Sequence, residues 1–211
     1  MSEKQVPLVV IKRLPRYYRY LGELIKNNIT RISSTELSEK MGVTASQIRQ
    51  DLNYFGGFGQ QGYGYNVEML YNRITTILGL DKGHKTVIIG AGNLGRALAN
   101  YGGFANRGYN IVGLFDVDKQ LEGEIIAGAP VMMYSNLKKF IESEKPDIAI
   151  LAVPKNSVRK VADDLISFGI KAFLNFAYVD LDVPEDVVVE NVHLSDSMMT
   201  LSYRMSSGGK L

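Results

Sequence analysis

Cysteine is absent from the sequence, which excludes disulfides, thiolate metal sites, a cysteine nucleophile and thiol-based redox sensing. Histidine is scarce: His84 and His193 lie far apart, and no metal-ligand cluster or nucleophile–base set is apparent, so no metal is expected. No apolar run reaches the roughly 18 residues that a membrane span needs. The first residues, MSEKQVPLVV, lack the basic, apolar and small-residue order of a signal peptide. A cytoplasmic protein with no membrane partner is therefore expected.

What is present suffices for folding. Apolar residues make up 45% of the 211, enough for one substantial core or two modest ones of about 80 and 120 residues. The net charge is only +2, but it is unevenly placed: residues 1–85 hold 12 Lys and Arg against 7 Asp and Glu, while residues 86–211 hold 12 against 15. A basic first part beside an acidic second part fits a nucleic-acid reader joined to something else, although a solvated surface would show the same split.

Along the chain, residues 15–28 place Tyr17, Tyr18, Leu21, Leu24 and Ile25 at helical spacing behind Pro15, a residue tolerated in a first turn. Ser33 to Glu36 has capping-box form, and Gly42 is suited to ending the short helix that follows. Thr44 to Gln47 reads as a second capping box, opening a helix to about Tyr54 with Ile48 and Leu52 inward. Two short capped helices joined at a glycine suggest helix-turn-helix. The stretch FGGFGQQGYGYNVEML, with Tyr63 and Tyr65 alternating, reads as a β-hairpin wing, and a helix bearing Leu70, Ile74, Ile77 and Leu78 follows. This first domain, residues 1–83, is expected to be a winged helix.

From residue 84 to 193, near-continuous apolar strands alternate with helices: TVIIG, NIVGLFDVD, DIAILAV, residues 170–176 and residues 186–192. That pattern indicates an α/β domain whose parallel sheet is buried on both faces. Residues 195–205 form a final helix, largely apolar through Met198, Leu201, Tyr203 and Met205, within a closing segment of residues 194–211.

VIIGAGNLG is the informative motif. It follows a strand and opens a helix, and Asp116 ends the next strand 21 residues after Gly95, as in a Rossmann dinucleotide site. Gly90 allows the tight turn, Gly92 lets the backbone reach a pyrophosphate, Gly95 lets helix pack on strand, and amides at the helix start would hold the anion. Asp116 would accept from ribose hydroxyls and favour NAD or NADH over their 2′-phosphorylated forms. The remaining cofactor candidates are Ala91, Asn93, Leu94 and Arg96 in the turn, Tyr101, Val117 and, near the nicotinamide where NADH and NAD would be told apart, the carboxyl-end residues Ala152, Val153 and Pro154, and Asn175, Phe176 and Ala177. The bland alternative is glycines serving only a tight turn.

An oxidoreductase would need a proton donor and a substrate pocket. Residues after Val153 only finish the sheet, and His193 is the sole candidate base, a structural histidine being the plainer reading, so no catalytic residue is assigned. For DNA, the exposed face of the second capped helix offers Ser46, Gln47, Arg49 and Gln50, and the wing adds Gln60, Gln61 and Tyr63. A helical packing module is the alternative there.

Taken in order, VTASQIRQDLNYFGGFGQQGYGYNV, VIIGAGNLGRALANY, AVP, GIKAFLNFA and VPEDVVVENV resemble the Rex family of bacterial redox-sensing transcriptional repressors over nearly the whole chain. The resemblance implies a homodimer whose winged helices bind a double-stranded operator of two-fold symmetry, and whose Rossmann domains bind NADH or NAD. It also implies a carboxy-terminal helix swapped into the partner, and release of DNA when NADH closes the dimer. Arg19, Tyr101 and position 193 match residues that join in the NADH-bound form of relatives.

The chain departs from the family pattern in four places. Gln50 replaces a lysine, Gln61 an arginine, Tyr178 a proline, and His193 an acid. Two missing charges near DNA would flatten the salt dependence, and Tyr178 with His193 would alter the switch. A paralogue with changed or lost NADH response, its Rossmann domain serving as dimer scaffold, is the alternative that these positions keep open.

Overall fold

Apolar spacing and a first-turn proline set the first long helix. In the computed structural model, which describes residues 6–56, 59–60 and 63–208, α1 spans Leu8–Ile11 and α2 spans Leu14–Lys26, with Pro15 in the first turn of α2. Leu14, Tyr17, Leu21 and Leu24 recur at intervals of three and four and are buried. Each such side chain contributes about 1.5–3 kcal/mol by leaving water.

After β1 (Arg31–Ile32), α3 (Ser34–Met41) begins with a complete capping box: Ser33 Oγ accepts from the Glu36 amide at 3.1 Å, and Glu36 Oε2 accepts from the Ser33 amide at 2.8 Å. Gly42 ends it in the left-handed region, at φ 65°, where a side chain would be strained. Next comes α4 (Ala45–Asn53), capped by Thr44. Strands β2 (Gly59–Gln60) and β3 (Gly64–Asn66) form the expected hairpin, and β3 lies between β1 and β2 in a three-stranded antiparallel sheet. The unit closes with α5 (Val67–Ile77), which packs on α2 and stacks Tyr71 on Tyr18 at 4.6 Å. Helix-turn-helix plus hairpin is a winged helix, occupying the compact unit of residues 1–82.

The second unit, residues 83–211, is built on one sheet. Its strands are β4 (His84–Ile89), β5 (Tyr109–Asp116), β6 (Ile125–Ile126), β7 (Ala129–Met133), β8 (Ile148–Leu151), β9 (Ala172–Asn175) and β10 (Val188–Asn191), in the spatial order β10-β9-β8-β4-β5-β7-β6. All neighbouring pairs are parallel except β6 with β7. Counting the parallel strands from β4, the order is 3-2-1-4-5-6, the doubly wound Rossmann arrangement. Successive residues explain the continuous apolar runs. Val87 and Ile89 face a core with α7 (Leu137–Glu144) and α8 (Val158–Ser167), while Ile88 faces the opposite core beside α6 (Asn93–Ala99).

Strands β6 and β7 are not legible in the sequence. Gly123, Gly128 and Pro130 punctuate that stretch, so it reads as turns, whereas pairing of Leu114 with Val131 across β5 and β7 recruits it into the sheet. Helix α6 stops at Ala99, so Tyr101 lies beyond its end. The last strand, expected over residues 186–192, is shorter: β10 finishes at Asn191, and His193 is the N-cap of α9, Leu194–Ser206. No residue of α9 is buried, and its Leu194, Met198, Leu201, Tyr203 and Met205 are all exposed.

Candidate functional site

The dinucleotide candidate grows out of the end of β4. Gly90 stands at φ 100°, and a Cβ there would lie 2.4 Å from the Ala152 carbonyl oxygen, so the turn closes against the end of β8 only because this residue has no side chain. A Cβ on Gly95 would fall 1.8 Å from the Gly90 carbonyl oxygen, which seats α6 directly on the turn. Gly92 differs, with open space where its side chain would be. The turn is tied down by Asp116, whose Oδ2 accepts from the Ala91 amide at 2.6 Å and whose Oδ1 accepts from the Asp118 amide at 3.0 Å. Arg96 donates from Nε to the Ala91 carbonyl at 3.0 Å and pairs with Glu124 at 2.6 Å. Asn93 and Leu94 open α6 beside them.

A cavity of about 490 Å³ lies beside this turn, at the carboxyl ends of β4, β5 and β8. Gly90, Gly92, Asp116, Val117, Ala152, Val153 and Pro154 all line it. This is the point where strand order reverses, the place an open α/β sheet offers a ligand. Among the further lining residues that sequence reasoning missed are Tyr134, Lys160 and Asp164. Tyr134 donates to Asp164 at 2.9 Å; burial and this carboxylate push its phenol well above the ordinary tyrosine value. The one signal in sequence was the four-residue spacing of Lys160 and Asp164, which puts them on one helix face.

Other expected cofactor residues lie elsewhere. Asn175 is fully buried: it donates to the Val179 carbonyl and to Asn191 Oδ1, both at 2.8 Å, and accepts from the Ala177 amide at 3.0 Å. Its hydrogen bonding is thus spent on the loop after β9, and Phe176 joins the core on the α6 face. Tyr101 is exposed and meets Phe104 edge to face at 5.2 Å. His193 lies with its Nδ1 3.6 Å from Asp196 and its ring 4.8 Å from that of Tyr178. Arg19, in the first unit, lines a small polar cleft with Arg16, Glu23 and Lys40.

On α4, Ser46, Arg49 and Gln50 are exposed, and Arg49 donates to Ser34 Oγ at 3.0 Å. Gln47 corrects the reading of a second capping box. Its amide hydrogen does bond Thr44 Oγ1, but its side chain turns away to donate to Asp51 Oδ1 at 2.9 Å. Asp51 is fully buried, and Arg13 grips both its oxygens at 2.6 and 2.7 Å while Tyr17 donates at 2.7 Å. Burial opposes ionisation there, yet the hydrogen bonds from Arg13, Tyr17 and Gln47 prevail and hold Asp51 below the usual carboxylate range. In the wing, Tyr63 is exposed, with its carbonyl accepting from Arg31 at 3.1 Å. Gln60 supplies backbone to β2, and Gln61 lies outside the described residues.

Among the described residues no helix is long and apolar enough to cross a membrane, and no cluster of acids and histidines suited to a metal occurs.

Fold and site together define a class: a winged-helix DNA-binding unit joined to a Rossmann unit. A family model described as a putative DNA-binding protein N-terminus matches residues 5–53, and one described as a CoA binding domain matches residues 81–179. The redox-sensing transcriptional repressor Rex of Thermoanaerobacter pseudethanolicus is 60% identical over 207 residues, covering 98% of this chain and 92% of that protein. The Rex protein of Clostridium perfringens is 53% identical, with 97% of both chains covered. Among solved structures, RSP in complex with β-NAD⁺ and operator DNA superposes with a TM-score of 0.92 at 60% identity, covering 96% of this chain and 94% of that one. RSP in complex with β-NADH gives 0.90 at 56%, covering 97% and 96%. The chain belongs to the Rex family of redox-sensing transcriptional repressors. These relatives are named as regulators, which answers the oxidoreductase alternative.

Proposed function

We propose that this chain represses transcription by binding operator DNA through its winged helix, and that NADH and NAD⁺ acting on its Rossmann unit set the occupancy. The observation that carries the reading is the glycine turn closed against β8 beside a cavity at the strand-order reversal. The pyrophosphate would lie along Gly90–Asn93 where Gly92 leaves room, with the adenosine toward Asp116 and Val117; Val153 and Pro154, expected from the sequence beside the nicotinamide, line the same cavity as those two and are assigned to the adenosine instead. Asp116 already accepts from Ala91, so it both shapes the turn and presents a carboxylate to the ribose.

For DNA, Ser46, Arg49 and Gln50 are the exposed side chains of α4 that can reach a major groove, with Tyr63 of the wing beside the backbone. Gln47 contributes through Asp51, ordering α4 rather than reading bases. The uncovered apolar side chains of α9 suit packing on a second copy of the chain, giving a homodimer with a swapped helix that matches a two-fold operator. If NADH and operator favour different arrangements of that dimer, each weakens the other by the same factor.

The test is fluorescence anisotropy of a labelled palindromic duplex with the full chain at fixed salt. Loss of anisotropy on adding NADH, with NAD⁺ far less effective, is expected. Tight DNA binding indifferent to both would defeat the redox part of the reading.

A further inference from the structure

The cavity beside the glycine turn has polar lining beyond Asp116, and its charged groups come from one face of α8. Lys160 and Asp164 stand one helical turn apart. Tyr134, from the turn after β7, donates its hydroxyl to Asp164 Oδ2 at 2.9 Å. The phenol, pushed upward in pKa, stays a donor, so the half-buried carboxylate is held in one orientation with Oδ1 left to accept. Lys160 can only donate. Val117, Val153 and Pro154 supply an apolar slot of the kind a flat ring occupies.

We propose that Lys160 and Asp164 read the amino edge of adenine, making the site selective for adenine among purine dinucleotides. Asp164 accepts from the exocyclic amino group, and Lys160 donates to a ring nitrogen beside it. Tyr134 is a positioning residue that fixes the carboxylate. Hypoxanthine places a carbonyl where adenine has its amino group, so the Asp164 carboxylate would face an acceptor and an unmade hydrogen bond. The inference rests on the dinucleotide reading above and adds to it a source of base specificity in α8.

The experiment is equilibrium titration of the full chain with NADH and with reduced nicotinamide hypoxanthine dinucleotide, followed by nicotinamide fluorescence. The wild type is expected to hold NADH about tenfold more tightly, roughly the worth of one charge-assisted hydrogen bond at a half-open site. In Asp164→Asn, the Tyr134 hydroxyl can still be accepted by the amide oxygen, which turns the NH₂ group toward the base, so the preference should fall to about one or reverse. Lys160 is exposed, so Lys160→Met should fold and weaken NADH severalfold. Equal affinity of the wild type for both dinucleotides overturns the inference while leaving dinucleotide binding intact. So does an unchanged preference in Asp164→Asn at an unchanged melting temperature. Binding of neither dinucleotide would remove the reading beneath it, and the inference with it.

Discussion

The ring of Tyr178 lies 4.8 Å from the imidazole of His193, inclined at 60°, so the two side chains pack against each other. Asp196 joins them, accepting from the Tyr178 hydroxyl at 3.3 Å and lying 3.6 Å from His193 Nδ1. Among the described residues Nε2 of His193 is buried with no hydrogen-bond partner, so the imidazole is held by ring packing on one side and Asp196 on the other. The two side chains form one local arrangement, and a proline at 178 would remove half of it.

Tyr178→Pro and His193→Asp should therefore be non-additive. His193→Asp alone sets a second carboxylate beside Asp196, and Tyr178→Pro alone uncovers the imidazole. The double variant should be more stable than the sum of the single effects by about 1 kcal/mol. Urea unfolding of the four proteins measures this; strict additivity would show that the contact carries no energy.

Gly92 and Gly95 should separate folding from binding. Gly95→Ala forces a methyl group within 1.8 Å of the Gly90 carbonyl oxygen and should lower stability by about 2 kcal/mol or more as the turn is displaced. Gly92→Ala meets open space, so its melting temperature should match the wild type while NADH affinity falls at least tenfold through obstruction of the pyrophosphate. Thermal melts and NADH fluorescence titration distinguish the two, and full NADH affinity in Gly92→Ala would count against the proposed pyrophosphate position.

Asp51 gives a pH prediction whose sign is determined. Its folded-state pKa is below the usual value, near 3.9 for an unfolded aspartate, so its contribution is complete above that value and fades as pH falls through the lowered one. Asp51→Asn should cost about 3 kcal/mol at pH 7, because Arg13 loses its ion pair, and the gap to the wild type should narrow below about pH 4. Denaturant midpoints across pH 3 to 7 test it. A gap constant with pH would assign the effect to packing instead.

Gln50 tests the DNA face. It is exposed on α4, and Gln50→Lys should steepen the dependence of operator affinity on salt by about one unit of log–log slope per subunit. Anisotropy over a range of KCl concentrations reads this directly; an unchanged slope would place residue 50 away from phosphate.

What the sequence determined by itself was whatever depends on neighbours along the chain. The Ser33–Glu36 capping box, the left-handed Gly42 and the alternation of apolar strands with helices follow from spacings of a few residues, because capping, φ preference and strand or helix periodicity are local physics. The family resemblance came from the same source. Tertiary structure decided the rest. Asp51 gathers Arg13 and Tyr17 from 38 and 34 residues away, and in doing so draws Gln47 out of its capping role. Tyr134 reaches Asp164 across 30 residues, and β7 becomes a strand only because β5 offers it an edge. A buried carboxylate or an edge strand is stable only when distant donors satisfy it, and no short stretch of sequence contains those donors.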